Sequence, residues 1–430
     1  MTKTGQVVLD RVRVTETRNV RAETMQELSG KHIVLIIENE AVPFDRRMWN
    51  MALSLREFGA DVTVICPKFG KDSEPFVVLQ GVHVFRYNNV FSDGSIVGYV
   101  REYLTAFVKT IWLYHTVLMK RSRVHVVHVA NPPDIFWPFA LYLKLFGTRF
   151  IFDEHDLSPE AYLSRFNKDM HETGILFRIQ VLFQRLSYRV ANVIISTNET
   201  YRANAVSVDS SYARKTFVVR NGPDTRTFHL HPSNPSLRNG YKYMAAYIGV
   251  MAIQDGVEYI VKAVDILVNK KNFKDIIVYL IGKGDDWDRL KLLAEECGVA
   301  DHIVFTGRIP DEPALEILST ADVCLSPDPY SPLNELSTMT KIMEYMCLGK
   351  PIVSFHLKEN KYSAGDAALY VDNNNPEAFA DGIIRLLTDP ALASRMGTSG
   401  IQRVKDELSW EKQSERLLAT YRFVLRTAGS

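Results

Sequence analysis

At 430 residues the chain has room for two or three domains, each with its own core. Hydrophobic residues make up 46% and charged residues 23%, the balance of a globular protein, and 51 Lys and Arg against 50 Asp and Glu exclude bulk electrostatic binding of nucleic acid. Cys66, Cys297, Cys324 and Cys347 lack metal-ligand spacing and predict reduced core thiols in a cytoplasmic protein. A polar N-terminus predicts no signal peptide, and no apolar run is long enough to span a bilayer.

Residues 1–30 are charged and weakly patterned, which predicts an N-terminal extension. His32–Glu38 predicts a buried strand, Met48–Gly59 an amphipathic helix and Asp61–Cys66 a second strand, the opening of a parallel α/β domain. Ligands of such domains lie at the carboxyl ends of the strands, so the loop with Asp45, Arg46 and Arg47 is a candidate acceptor-binding site. Helix capping with a surface ion pair is the alternative for that loop. Val82–Tyr87 predicts a strand. Residues 96–123 predict a long helix with a greasy, basic-flanked middle that either packs on the sheet or lies on a membrane surface beside a lipid-linked acceptor.

The strand predicted at 124–131 ends in Asn131, and the strand from Arg149 runs into Asp153, Glu154, His155 and Asp156. This is the densest ionisable cluster of the chain, at a strand's carboxyl end. His155 there can bridge sugar hydroxyls and pyrophosphate, and carboxylates such as Asp156 can orient an acceptor hydroxyl. Helix Ile175–Ala191 and strand Val193–Glu199 follow, then residues 226–240, rich in Pro, Asn and His without periodicity, which predict a linker. A second α/β run starts at Lys242. Its strand ends carry Gly249, Gly282 with Lys283, and Arg308, polar loops suited to a donor. The last helix is expected from Trp410 to Arg426.

Residues 331–354 carry the sharpest pattern. Met339, Ile342, Met343, Met346 and Cys347 form an apolar helical stripe, with Ser337, Lys341 and Glu344 on the opposite face. Ser337 or Thr338 is the expected N-cap. A helix start there offers unpaired N–H groups to a diphosphate, Lys341 adds a cation, and Glu344 can accept hydrogen bonds from ribose hydroxyls. An ordinary amphipathic helix with a solvated Lys and Glu face is the alternative.

The motifs DEHDLSPE, RNGPD, LIGKGDDWDRL, NELSTMTKIMEYMCLGKPIV and SAGDAALYV resemble the retaining glycosyltransferases of family 4, of GT-B fold and of a subgroup of bacterial surface-polysaccharide type. The resemblance implies two Rossmann-like doubly wound domains facing across a cleft, with a final helix returning to the first. The expected boundaries are 31–225 for the acceptor domain, 226–240 for the linker, 241–409 for the donor domain and 410–430 for the returning helix. It further implies transfer of a sugar from a nucleotide-diphosphate sugar, UDP- or GDP-linked, to a sugar or lipid-linked glycan hydroxyl, with retention and no metal or other cofactor. Glu344 would hold the ribose, His155 would lie by the donor sugar, and Ser337 and Thr338 would meet the diphosphate.

Two departures bear on this. The family's first glutamate falls at Leu336, with Glu335 one position early, and the usual Arg and Lys are absent from Met251 to Asp255. Diphosphate charge then falls to Lys341, Arg308 or Lys283. Lys341, His155 and Glu335 are the expected catalytic residues. A nucleotide-sugar epimerase and a catalytically degenerate nucleotide-sugar-binding protein are the competing readings.

Overall fold

A computed structural model describes residues 26–69, 74–90, 92, 95–121, 123–165 and 174–426. The expected extension over 1–30 lies outside them as far as residue 25. The described parts of Met1–Tyr162, Asp169–Val219 and Ser414–Ser430 form one compact unit, and Arg220–Gln413, with the short run at Leu163, forms the other.

The first unit is built on strands β1 (His32–Ile36), β2 (Asp61–Pro67), β3 (Phe76–Leu79), β4 (Val82–Tyr87), β5 (Val126–Ala130), β6 (Arg149–Glu154), β7 (Val193–Ser196) and β8 (Thr216–Val218). Their order is β3-β4-β2-β1-β5-β6-β7-β8, with β3 antiparallel to β4 and the other pairings parallel. β1, His-Ile-Val-Leu-Ile, is buried along its whole length, as a strand covered on both faces must be. The order reverses between β1 and β5, the switch point where doubly wound sheets open a crevice.

Three helices, Ile96–Lys120, Trp137–Leu145 and Ile175–Val190, cover one face of this sheet. Their Leu113, Tyr114, Phe139, Leu143 and Tyr188 share a core with Val34, Val127, Phe150 and Ile194. Each such fully buried side chain contributes about 1.5–3 kcal/mol. Ser95 starts the first helix, its hydroxyl accepting from Gly98 N. Helix Arg46–Glu57 starts at Asp45, whose carboxylate accepts from Met48 N at 2.9 Å.

The second unit carries β9 (Tyr243–Ile248), β10 (Ile276–Ile281), β11 (Ile303–Gly307), β12 (Val323–Ser326), β13 (Ile352–Phe355) and β14 (Ala368–Val371). All are parallel, in the order β11-β10-β9-β12-β13-β14, so the switch point lies between β9 and β12. Residues 226–240 belong to this unit. His231 N donates to Ser319 Oγ at 3.0 Å, Asn234 N to Thr320 Oγ1 at 2.9 Å, and Arg238 pairs with Asp322 at 2.7 Å. Their polar groups are therefore satisfied by the end of helix Asp311–Thr320 and the start of β12. Helix Trp410–Arg426 begins in this unit, and from Ser414 its residues group with the first.

The helix expected to start at Ser337 or Thr338 is two helices instead, Pro332–Leu336 and Thr340–Cys347. Ser331 caps the first by accepting from Asn334 N at 3.1 Å, and Pro332 presets its opening turn. Ser337 is the C-cap of that first helix, and its hydroxyl donates to Leu333 O at 2.8 Å. Met339 precedes the second and provides no side-chain cap.

Candidate functional site

In the first unit the cluster after β6 closes around Asp153, a fully buried carboxylate. Arg47, in the first turn of its helix, makes a fork to it, Nε to Oδ2 at 3.2 Å and Nη2 to Oδ1 at 2.7 Å. The third arm of that guanidinium donates to Val219 O at 2.8 Å. Two imidazoles meet the same carboxylate, His128 Nε2 at 3.2 Å and His155 Nε2 at 3.0 Å from Oδ2. Burial pushes the Asp153 carboxyl up, but the Arg47 charge, His155 and the imidazole hydrogen bonds outweigh it and hold the group well below the usual carboxylate range. Burial pushes His128 down, and its Nδ1 lies 2.8 Å from the Tyr421 hydroxyl.

The result is an aimed histidine. Nε2 of His155 faces the Asp153 carboxylate, an acceptor, so a proton on Nε2 satisfies that contact and leaves Nδ1 on the other edge of the ring. The His155 side chain keeps 15% of its surface exposed, against none for Asp153. Its main chain is fixed by Asn131, whose Oδ1 accepts from His155 N at 2.6 Å and from Asp156 N at 3.2 Å. The Asn131 amide also donates to Asp134 Oδ1 and Asp156 O. Asn131 and Arg47, expected to touch the acceptor, are therefore internal: they are buried and commit their polar groups to holding the loop and Asp153. Asp45 is the helix cap, whereas Arg46 and Asp156 are exposed.

In the second unit, Lys341 is buried at the switch point. Its Nζ lies 2.5 Å from Asp328 Oδ1 and 5.1 Å from the centre of the Tyr247 ring. Asp328 is held in turn by Ser326 Oγ, 2.6 Å from Oδ2. Asp255 shares this environment. Burial raises its carboxyl to about 6 against the opposing pull of Lys341. Asp328 and Asp255 were not among the expected site residues. An ammonium has three donors, and Asp328 takes one.

Gly249 and Gly282 are demanded by packing as much as by any ligand. A Cβ on Gly282 would lie 1.9 Å from Gly249 O, and its φ of +127° is a conformation that suits glycine. A Cβ on Gly249 would lie 2.5 Å from the Tyr247 hydroxyl and 3.4 Å from Lys341 Cε. These glycines bring two strand ends together and leave room for the lysine. Lys283 and Arg308 are exposed at the ends of β10 and β11, Lys283 with its Nζ 5.8 Å from the Trp287 ring centre.

Beside the break between the two helices lies a cation that was not among those expected, Arg220. Arg220, fully buried, donates to Thr338 Oγ1 at 3.5 Å and to Glu359 Oε2 at 3.1 Å, and its guanidinium lies 4.1 Å from the Tyr362 ring centre. It lies within RNGPD, a stretch that pointed to family and not to charge. Glu335 accepts from Lys358 N at 3.1 Å, which places its carboxylate at the start of helix Lys358–Ala364. Leu336 and Glu344 are both half-buried.

Two doubly wound units, one of eight strands and one of six, each with polar groups gathered at its switch point, define a tandem Rossmann-like architecture. Residues 45–222 match the family described as "Glycosyl transferase 4-like domain", and residues 242–389 match "Glycosyl transferases group 1". The chain belongs to the family 4-type glycosyltransferases of GT-B fold. A GDP-mannose-dependent alpha-(1-6)-phosphatidylinositol monomannoside mannosyltransferase of Mycolicibacterium smegmatis is 24% identical over 235 residues, half of this chain and 61% of its own. The chain spans about six tenths or less of the length of the first curated relatives it matches. Among solved structures, sucrose-phosphate synthase from Thermosynechococcus elongatus shares the fold at a TM-score of 0.74 and 18% identity. It covers 92% of this chain and 100% of its own. Anabaena HepE in complex with UDP-glucose does so at 0.67 and 14%, over 91% and 99% of the two chains.

Proposed function

We propose that the chain transfers a sugar from a nucleotide-diphosphate sugar to an acceptor hydroxyl with retention of anomeric configuration. The second unit binds the donor, and the first binds a sugar or lipid-linked glycan at a cytoplasmic membrane surface. The observation that carries this reading is the aimed His155 in a family whose matched regions occupy both units. The mannosyltransferase relative is named for GDP-mannose and the HepE structure for UDP-glucose, which supports a UDP- or GDP-linked donor.

The chain's own residues suit front-face transfer. Nδ1 of His155 accepts a hydrogen bond from a hydroxyl of the donor sugar and orients it. Lys341, fixed by Asp328, turns its remaining N–H groups toward charge that develops on the departing diphosphate. Lys283, Arg308 and the main-chain N–H groups before Thr340 supply the rest of that charge. Glu344 accepts from the ribose hydroxyls. The leaving phosphate takes the proton of the acceptor hydroxyl, so orientation and charge placement are the work left to the protein.

The test is a thermal-shift panel of UDP, GDP, TDP, ADP and CDP, each with and without magnesium. A ligand that binds the native state raises Tm with the logarithm of its concentration over Kd. UDP or GDP is expected to raise Tm without magnesium, and Glu344→Ala to abolish the rise. No shift with any nucleotide would contradict donor binding.

A further inference from the structure

We propose that the outward face of helices Ile96–Lys120, Trp137–Leu145 and Ile175–Val190 is a docking surface for an anionic lipid bilayer. This deepens the membrane contact in the reading above and rests on that part of it, independently of the donor site.

A helix packed on a sheet normally turns polar residues to solvent. Helix Ile96–Lys120 does not. While Leu113, Tyr114 and Val117 are buried against the sheet, Val97, Val100, Leu104, Val108 and Trp112 recur every three or four residues on the outside, all more than half exposed. Trp112 retains 62% of its surface. The apolar face continues onto the neighbouring helices. His115 Nε2 lies 2.8 Å from the Tyr142 hydroxyl, and the rings of Trp137 and Phe183 lie 6.2 Å apart, so the three helices are adjacent. Leu145 is 80% exposed, and Ile179 and Leu182 project from the third helix.

The charge on these helices is one-sided. They hold seven Lys and Arg and one acid, Glu102, in a chain with 51 basic and 50 acidic residues overall. Glu102 is occupied by Ser92 N at 3.1 Å. Exposed Lys109, Arg178 and Arg185 stand among the apolar side chains, where their stems can lie along the acyl boundary and their charges can reach lipid phosphates. No described helix is long and apolar enough to cross a membrane, so the contact is interfacial.

Charge also selects against other occupants. An isologous dimer would press this basic face against itself. Residues 1–25 carry five Lys and Arg against three acids, so that segment does not complement the face either.

The experiment is co-sedimentation of the full chain with phosphatidylcholine vesicles, with and without phosphatidylglycerol, at low and high salt. Brominated lipids serve to quench Trp112. Binding is expected with phosphatidylglycerol, weakened by salt. Trp112→Glu, or Lys109→Glu with Arg178→Glu, is expected to weaken it on the order of tenfold or more. Quenching should fall in Trp112→Phe. Equal binding by wild type and the variants, or none to anionic vesicles, would overturn the proposal. So would a dimer that Trp112→Glu dissociates. The nucleotide panel run on the same variants should be unchanged, which separates this result from a failure of the donor site.

Discussion

Asp153 and Asp134 lie in the same unit, on adjacent strand ends, yet burial acts on them in opposite ways. Asp153 is surrounded by Arg47 and two imidazoles, and its charge is stabilised. Replacing it by Ala would leave Arg47 buried without its partner, at a cost of about 3–5 kcal/mol. Asp134 has no cation. Its Oδ1 accepts from Asn131, but its buried Oδ2 is unpartnered, and burial raises the group to about 6. A carboxyl raised on folding stabilises the fold fully below its unfolded value, near 4, and that contribution is lost as pH rises through about 6. The difference is about 3 kcal/mol at most. Asp134→Asn is therefore expected to raise Tm at pH 8 and leave it nearly unchanged at pH 4 (scanning calorimetry at both values reads this). A gain of equal size at both would contradict it. None of this was legible in the letters: Asp134 and Asp153 look alike in sequence, and only their partners differ.

Elements were legible where a local signal was strong. The buried strands were readable as apolar runs, and helix Trp410–Arg426 as an amphipathic repeat. Helices Pro376–Thr388 and Pro390–Arg403 were not anticipated, although Asn375 and Asp389 each stand before a proline and cap their helix. The break at residues 337–339 was missed because the apolar stripe of the second helix hid the Ser331-Pro332 start of the first. The glycine loops were seen but read for phosphate, when Gly282 also serves the contact of two strand ends. Gly282→Ala would drive a Cβ into Gly249 O and disturb the loop against which Lys341 lies. A loss of about 1–3 kcal/mol in urea unfolding is expected, with a weaker nucleotide-induced Tm shift. Wild-type stability and shift would show that the loop relaxes freely.

For the whole molecule, the tandem doubly wound plan was readable because each half repeats the alternation of strand and helix. The site's fine structure was not, since its contacts span long intervals of chain. Arg47 and Asp153 are 106 residues apart, Arg220 and Glu359 are 139, and His128 and Tyr421 are 293. No window of sequence contains both partners of such a pair. The central claim is retaining transfer that depends on the aimed His155 and the seated Lys341. It is tested most directly by proton NMR of the anomeric signal during turnover of UDP- and GDP-sugars by wild type, His155→Ala and Lys341→Met. The account predicts a first-formed product with the donor's anomeric configuration, and a loss of about 10²–10³ in rate for Lys341→Met. An inverted product, or wild-type rates in both variants, would contradict it.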